Sequence, residues 1–226
     1  MKLYDWDWPG AEQEYRRAVA LSPSNVEGHD GLCDLFDKLG RLDEGLAECQ
    51  IAQQLDPTED HFSDHLYSSR EYDRTIELIR MLLKTHPDRV DYHYALYACY
   101  AAKGFNNESV QELEQVSKLI GLFELAEDIH RGFATGGYRR AIEAYARGLE
   151  LGAATHAIFP PIELAQAYAA LGNKDRAFYW LEQAYQNRDV PTAYINLTNI
   201  KMDPMLDPLR SDPRFKDLLR RVGLPQ

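Results

Sequence analysis

The sequence predicts an all-α protein built as a stack of antiparallel helix pairs, on three observations. A small residue followed at i+4 and i+7 by apolar or small residues recurs six times, which is one face of a helix each time. These segments begin at Ala11, Gly45, Thr75, Ser109, Ala141 and Ala177, separated by 34, 30, 34, 32 and 36 residues. Between them lie helices of a second kind that end on glycine, and no comparable run has the strict alternation of a strand.

In chain order, the first periodic segment places Ala11, Tyr15 and Ala18 on one face and stops before Pro23. A helix ending at Gly40 follows, then one carrying Gly45, Cys49 and Ala52 that stops before Pro57. The next pair has lost about four residues from its first helix, around 61–70, which predicts a shortened or kinked pair; its second helix carries Thr75, Ile79 and Leu82 and ends before Pro87. The later pairs bring Leu113 and Val116 after Gly104, Tyr145 and Gly148 in the segment from Ala141, and Leu181 and Ala184 after Gly172. Asp43, Asn106 or Asn107, and Asn173 stand where the following helices would be N-capped. Pro160 and Pro161 suit a first helical turn, where no amide donor is needed, and the stretch 152–159 is longer than a typical turn. Near the C-terminus three Asp-Pro pairs, at 203, 207 and 212, repeat a helix-start device. The last starts a helix with Phe215, Leu218 and Leu219 on one side and Lys216, Asp217, Arg220 and Arg221 on the other, a terminal cap for the pair before it.

These residues resemble the tetratricopeptide repeat. The marks are Leu32-Cys33 with Phe36, Gly45, Ala52 and Pro57; Leu96, Tyr100 and Gly104; and Leu164-Ala165 with Tyr168, Gly172, Ala177 and Ala184. The resemblance covers nearly the whole chain and implies a right-handed superhelical solenoid whose first helices line a concave groove. It implies one array over 1–226: the second helix of a truncated first repeat at 9–22, repeats at about 26–57, 58–87, 90–121, 122–152 and 158–188, and C-terminal helices with a cap at 190–226. Both ends look like those of tetratricopeptide regions in multidomain bacterial signalling proteins: winged-helix regulators, adenylate cyclases and serine/threonine kinases. That implies a piece of a longer polypeptide with an effector domain upstream; a free-standing repeat protein is the alternative. Chaperone-tail binders of the family clamp a carboxylate with Lys, Asn and Arg, whereas Asp30 and Asp34 stand at matching positions here and argue against such a clamp.

The formal charge of −11 disfavours nucleic acid and anionic lipid. No apolar run approaches a membrane span, the start has no secretory h-region, and the expected location is cytoplasmic. No phosphate-binding glycine loop, nucleophile elbow or kinase motif occurs, so no catalytic residue and no cofactor is expected. His61 and His65, four apart beside Asp60 and Asp64, resemble half of a zinc motif, but no third ligand follows at metal spacing; both read as exposed polar residues, and no metal is expected. Cys33 and Cys49 fall on facing positions of one pair, where a disulfide is geometrically possible and two small buried apolar side chains are favoured; Cys99 reads as core.

The candidate groove has two halves. Glu27, Asp30, Asp34 and Asp37 recur at spacings of 3, 4 and 3 as one solvated acidic stripe, which Asp60 and Asp64 extend. Farther along, Tyr94 and Ala98, then Phe123, His130 and Phe133, then Phe159 present an aromatic and apolar face. Such a groove suits a peptide or helix with a basic end and an apolar end, hence a non-enzymatic interaction scaffold with a protein partner. A small-molecule sensor is the alternative, and it requires a closed pocket around Phe123, Phe133 and Phe159.

Overall fold

Several helices in this protein hand over to the next through one recurring turn. In the computed structural model, which describes residues 6–154, 161–187 and 197–225, Gly40 follows α2 (Val26–Leu39), Gly104 follows α6 (Val90–Lys103) and Gly172 lies just beyond α9 (Pro161–Ala170). Their φ angles are 77°, 73° and 75°, the left-handed region that glycine enters without a Cβ clash. The next residue then donates its backbone N–H to a carbonyl five residues back: Arg41 to Phe36 at 2.8 Å, Phe105 to Tyr100 at 2.9 Å, Asn173 to Tyr168 at 2.9 Å. That residue is at once the N-cap of the following helix. The expected caps Asp43 and Asn106 therefore lie inside the first turns of α3 (Leu42–Leu55) and α7 (Asn106–Leu119), because the turn leaves no spare residue before each helix. Asn173 caps α10 (Lys174–Gln186) as expected, accepting from the Arg176 amide at 3.2 Å.

The other helices are α1 (Trp8–Leu21), α4 (Ser63–Ser68), α5 (Tyr72–Leu82), α8 (Phe123–Ala154) and α11 (Pro213–Val222), with short 3-10 segments at Leu197–Asn199 and Pro204–Leu209. There is no strand among the described residues. The chain is all-α, as the periodicity predicts. The expected shortening of the third pair appears in α4, which has six residues and ends in the same turn with Arg70 at φ 65° in the glycine position. α8 is two helices joined at Gly136 and Gly137, where the backbone leaves helical geometry. Phe159 and Pro160 lie outside the described residues. Among the described residues no helix is long and apolar enough to cross a membrane.

Compactness divides the chain into two units, and neither is one continuous stretch. Unit 1 takes the described residues of Met1–Glu71, Thr198–Asp203 and Asp212–Gln226; unit 2 takes those of Tyr72–Leu197 and Pro204–Ser211. In unit 1, α1 packs on α2, α2 on α3, and α4 on both α2 and α3. Phe36, buried in α2, lies 4.1 Å under the Arg41 guanidinium, which also bonds Glu12 and Glu44 at 2.7 Å each and so ties α1 to the start of α3. Trp8 is buried, and its indole N–H donates to the Val222 carbonyl at the end of α11, 2.8 Å away. α11 therefore caps the first helix of the chain. The sequence predicts this cap on the preceding pair; the large indole of Trp8 needs both an apolar cover and an acceptor, and α11 supplies them. Lys201 meets the Leu39 carbonyl at 2.6 Å, satisfying a bare acceptor at the end of α2.

In unit 2 the packed neighbours run α5–α6, α6–α7, α7–α8, α8–α9 and α9–α10. The segment Pro204–Leu209 packs against both α6 and α9, burying Pro204, Met205, Leu206 and Leu209. Leu206 and Leu209 are fully buried, each contributing about 2 kcal/mol of apolar transfer. Tyr94 of α6 reaches α9 directly, its hydroxyl donating to Gln166 Oε1 at 2.6 Å in the interior.

Candidate functional site

The acidic half of the expected groove lies in unit 1, and the structure does not present it as one solvated row. Glu27 is exposed on the first turn of α2. Asp30, half exposed, meets His61 Nδ1 at 2.8 Å. Asp34 pairs with Lys38 one turn along the same helix. Asp37 is buried, with His65 Nδ1 2.8 Å from its Oδ1. Burial pushes the Asp37 carboxyl up, against the opposing pull of the His65 imidazole. Asp60 accepts from the backbone amides of Phe62 and Ser63 at 3.1 and 3.0 Å and so helps start α4, while Asp64 is exposed on that helix. The physical reason is the seating of α4 on α2. His61 stands just before α4 and His65 on it, and they meet carboxylates two turns apart on α2. Neither histidine is the exposed polar residue that the sequence suggested: the side chains are 8% and 3% exposed.

The aromatic half lies in unit 2. Tyr94 and Ala98 are core residues at 6% and 2% exposure, so they belong to the packing between helices. Phe123, on the first turn of α8, is 65% exposed, and Ile120 just before it is 48% exposed. His130 is exposed and meets Glu114 at 3.1 Å; Phe133 is half-buried. Phe159 lies outside the described residues.

Two arrangements escaped the sequence reading. The first occurs once in each unit. His29 bonds Glu48 at 2.6 Å and the Pro23 carbonyl at 3.1 Å; His93 bonds Glu112 at 2.6 Å and the Pro87 carbonyl at 2.9 Å. Each histidine fastens the proline turn before its helix to the helix after it, and all three members repeat 64 residues apart. A proline six before and a glutamate nineteen after a histidine is the signal that would have found it. The carboxylate of Glu112 holds the His93 imidazole above its ordinary range, opposed by burial and helped by the Pro87 carbonyl. The second arrangement is the meeting of Cys33, Asp37, Cys49 and His65, all buried, with one ligating atom of each within 4.8 Å of the others. Cys33 and Cys49 are drawn together as a disulfide pair, Cα atoms 5.3 Å apart, rather than as two separate apolar side chains.

Among the described residues, paired helices without strands, joined by a repeated turn, define an all-α helical-repeat fold. No family model matches the chain. It is similar to Hsp70-Hsp90 organizing protein 1 of Glycine max, with 30% identity over 88 residues. The match covers 36% of this chain and 15% of that protein, so the chain spans a small part of the relative's length.

Proposed function

We propose that this chain is a tetratricopeptide-type interaction module that binds a peptide or helix of a partner protein and catalyses no reaction, within a larger bacterial signalling or regulatory protein of the cytoplasm. The observation that carries the reading is the pair Ile120 and Phe123, two large apolar side chains exposed together where α7 hands over to α8. Exposed aromatics of this kind supply most of the binding free energy at protein interfaces. The relative supports the same class, since its name describes the organising of Hsp70 and Hsp90. The identity of those partners is not carried over, because Asp30 and Asp34 stand where a carboxylate clamp needs cationic or amide side chains. Carboxylates of unit 1 that reach solvent, the exposed Asp64 and the half-exposed Asp34 among them, favour a partner with a basic segment and act mainly on its rate of arrival. A small-molecule pocket would enclose Phe123, and its exposure speaks for the open surface instead.

The test is capture of partners from a lysate, followed by surface-binding kinetics at two salt concentrations. Phe123→Ala is expected to speed dissociation and weaken affinity by about 1 kcal/mol or more. Asp34→Asn with Asp64→Asn is expected to slow association and flatten its salt dependence. If both variants bind as wild type does, the partner docks on another face and the assignment is wrong.

A further inference from the structure

We propose that Cys33, Cys49, His65 and Asp37 form a structural zinc site when the two cysteines are reduced. Cys33 and Asp37 are one turn apart on α2, so both point from the same face. Cys49 comes from α3, which approaches closely because position 45 is glycine: a Cβ there would lie 2.4 Å from Asp37 Oδ1 and 3.4 Å from the Cys33 carbonyl oxygen. His65 comes from α4. Three helices of unit 1 thus deliver two sulfurs, an imidazole and a carboxylate to one spot, with exposures of 5%, 0%, 3% and 4% in the order named.

The surroundings choose between a bare disulfide and a cation. A disulfide is neutral and needs neither an acid nor an imidazole beside it. Yet Asp37 is buried there with one oxygen, Oδ1, on His65, and the other, Oδ2, buried without a hydrogen-bond partner. An unsatisfied carboxylate oxygen in the interior is costly, and a divalent cation is the group that answers it. Two thiolates and one imidazole nitrogen are soft and borderline donors; completed by one carboxylate oxygen they suit tetrahedral zinc and not calcium or magnesium, which take oxygen ligands throughout. On binding, His65 and Asp37 give up the proton they share, the carboxylate reaches the metal through one oxygen, and the two thiols release theirs. Four protein ligands leave no open position for water, which makes the site structural. Its effect is to fasten α4, a helix of six residues, to α2 and α3. The linear sequence conceals the site, because the four ligands are spread over 33 residues with no motif spacing.

The experiment uses the full chain, reduced with a non-chelating phosphine, its free thiols counted after denaturation. Zinc is added, excess removed, and metal measured by elemental analysis; cobalt is substituted in parallel for its visible spectrum. The expected result is one zinc per chain, a cobalt spectrum with thiolate-to-metal charge transfer and tetrahedral d–d bands, and a melting midpoint that rises with zinc. Cys33→Ser with Cys49→Ser and, separately, His65→Gln are expected to lose the metal, whereas His65→Cys, which restores a ligand, is expected to keep it. A reduced wild-type chain that binds no more zinc than the double serine variant overturns the proposal. So does a cobalt spectrum without the thiolate band, or a Cys33–Cys49 bond that survives the phosphine in the folded protein.

Discussion

At the residue scale, the chemistry of single side chains sets two measurable energies. His93 faces two groups that can only accept, the Glu112 carboxylate and the Pro87 carbonyl, so the doubly protonated ring satisfies both at once. Its pKa is raised above 6.5, chiefly by Glu112. A raised pKa contributes stability that is complete below the unfolded value and is lost as pH climbs through the folded one. The stability difference between wild type and His93→Gln is therefore expected to be larger at pH 6 than at pH 8.5, by up to about 1 kcal/mol for a charge-assisted bond at the surface. Urea titrations at the two pH values check it, and a pH-independent difference refutes it. Gly104 shows the other kind of constraint. At φ 73° its cost for any other residue is conformational, since a Cβ there would meet nothing within 4 Å. Gly104→Ala is expected to lower stability by about 1 kcal/mol with no change in secondary structure. Arg70, which holds the same turn at φ 65°, is the natural counterpart already carrying that cost.

Among the helices, α11 shows how a strongly amphipathic element finds its place. Phe215, Leu218, Leu219 and Val222 are all buried, and the helix ends on the carbonyl that Trp8 requires. Removal of 211–226 is accordingly expected to uncover Trp8. In a chain whose Trp6 and Trp180 are replaced by phenylalanine, the truncation should shift the remaining indole emission to the red and abolish cooperative melting. Unchanged emission would mean that α11 covers something else. Trp8→Phe isolates the hydrogen bond, because it leaves the Val222 carbonyl buried without its donor and is expected to cost about 1–3 kcal/mol.

For the whole molecule, the interleaved composition of the two units governs how it can be divided. Unit 1 draws on segments more than a hundred residues apart, Met1–Glu71 and Asp212–Gln226. A fragment ending at residue 71 carries Trp8 without α11 and is expected not to fold alone, as judged by circular dichroism and proteolysis; adding a peptide of 198–225 should restore protection. A fragment 1–71 that melts cooperatively by itself would contradict this. The division at Glu71 falls just after the six-residue α4.

Most of the secondary structure was legible in the amino-acid sequence, for a physical reason. The i, i+4 and i+7 spacing, the glycines at 40, 104 and 172, Asn173 at a cap and the shortened third pair are all settled within about five residues, by helix geometry and by the steric freedom of glycine. Exposure was less legible. Tyr94, Asp37 and His65 lie on periodic positions whose direction is known, but whether that direction meets water or another helix depends on residues far along the chain, such as Gln166 for Tyr94. The return of the C-terminal residues to Trp8, and the convergence of Cys33, Asp37, Cys49 and His65, were decided by tertiary structure alone. Apolar burial is non-directional and carries no spacing code, so a sequence names the surfaces that must be covered while only the packed chain selects what covers them.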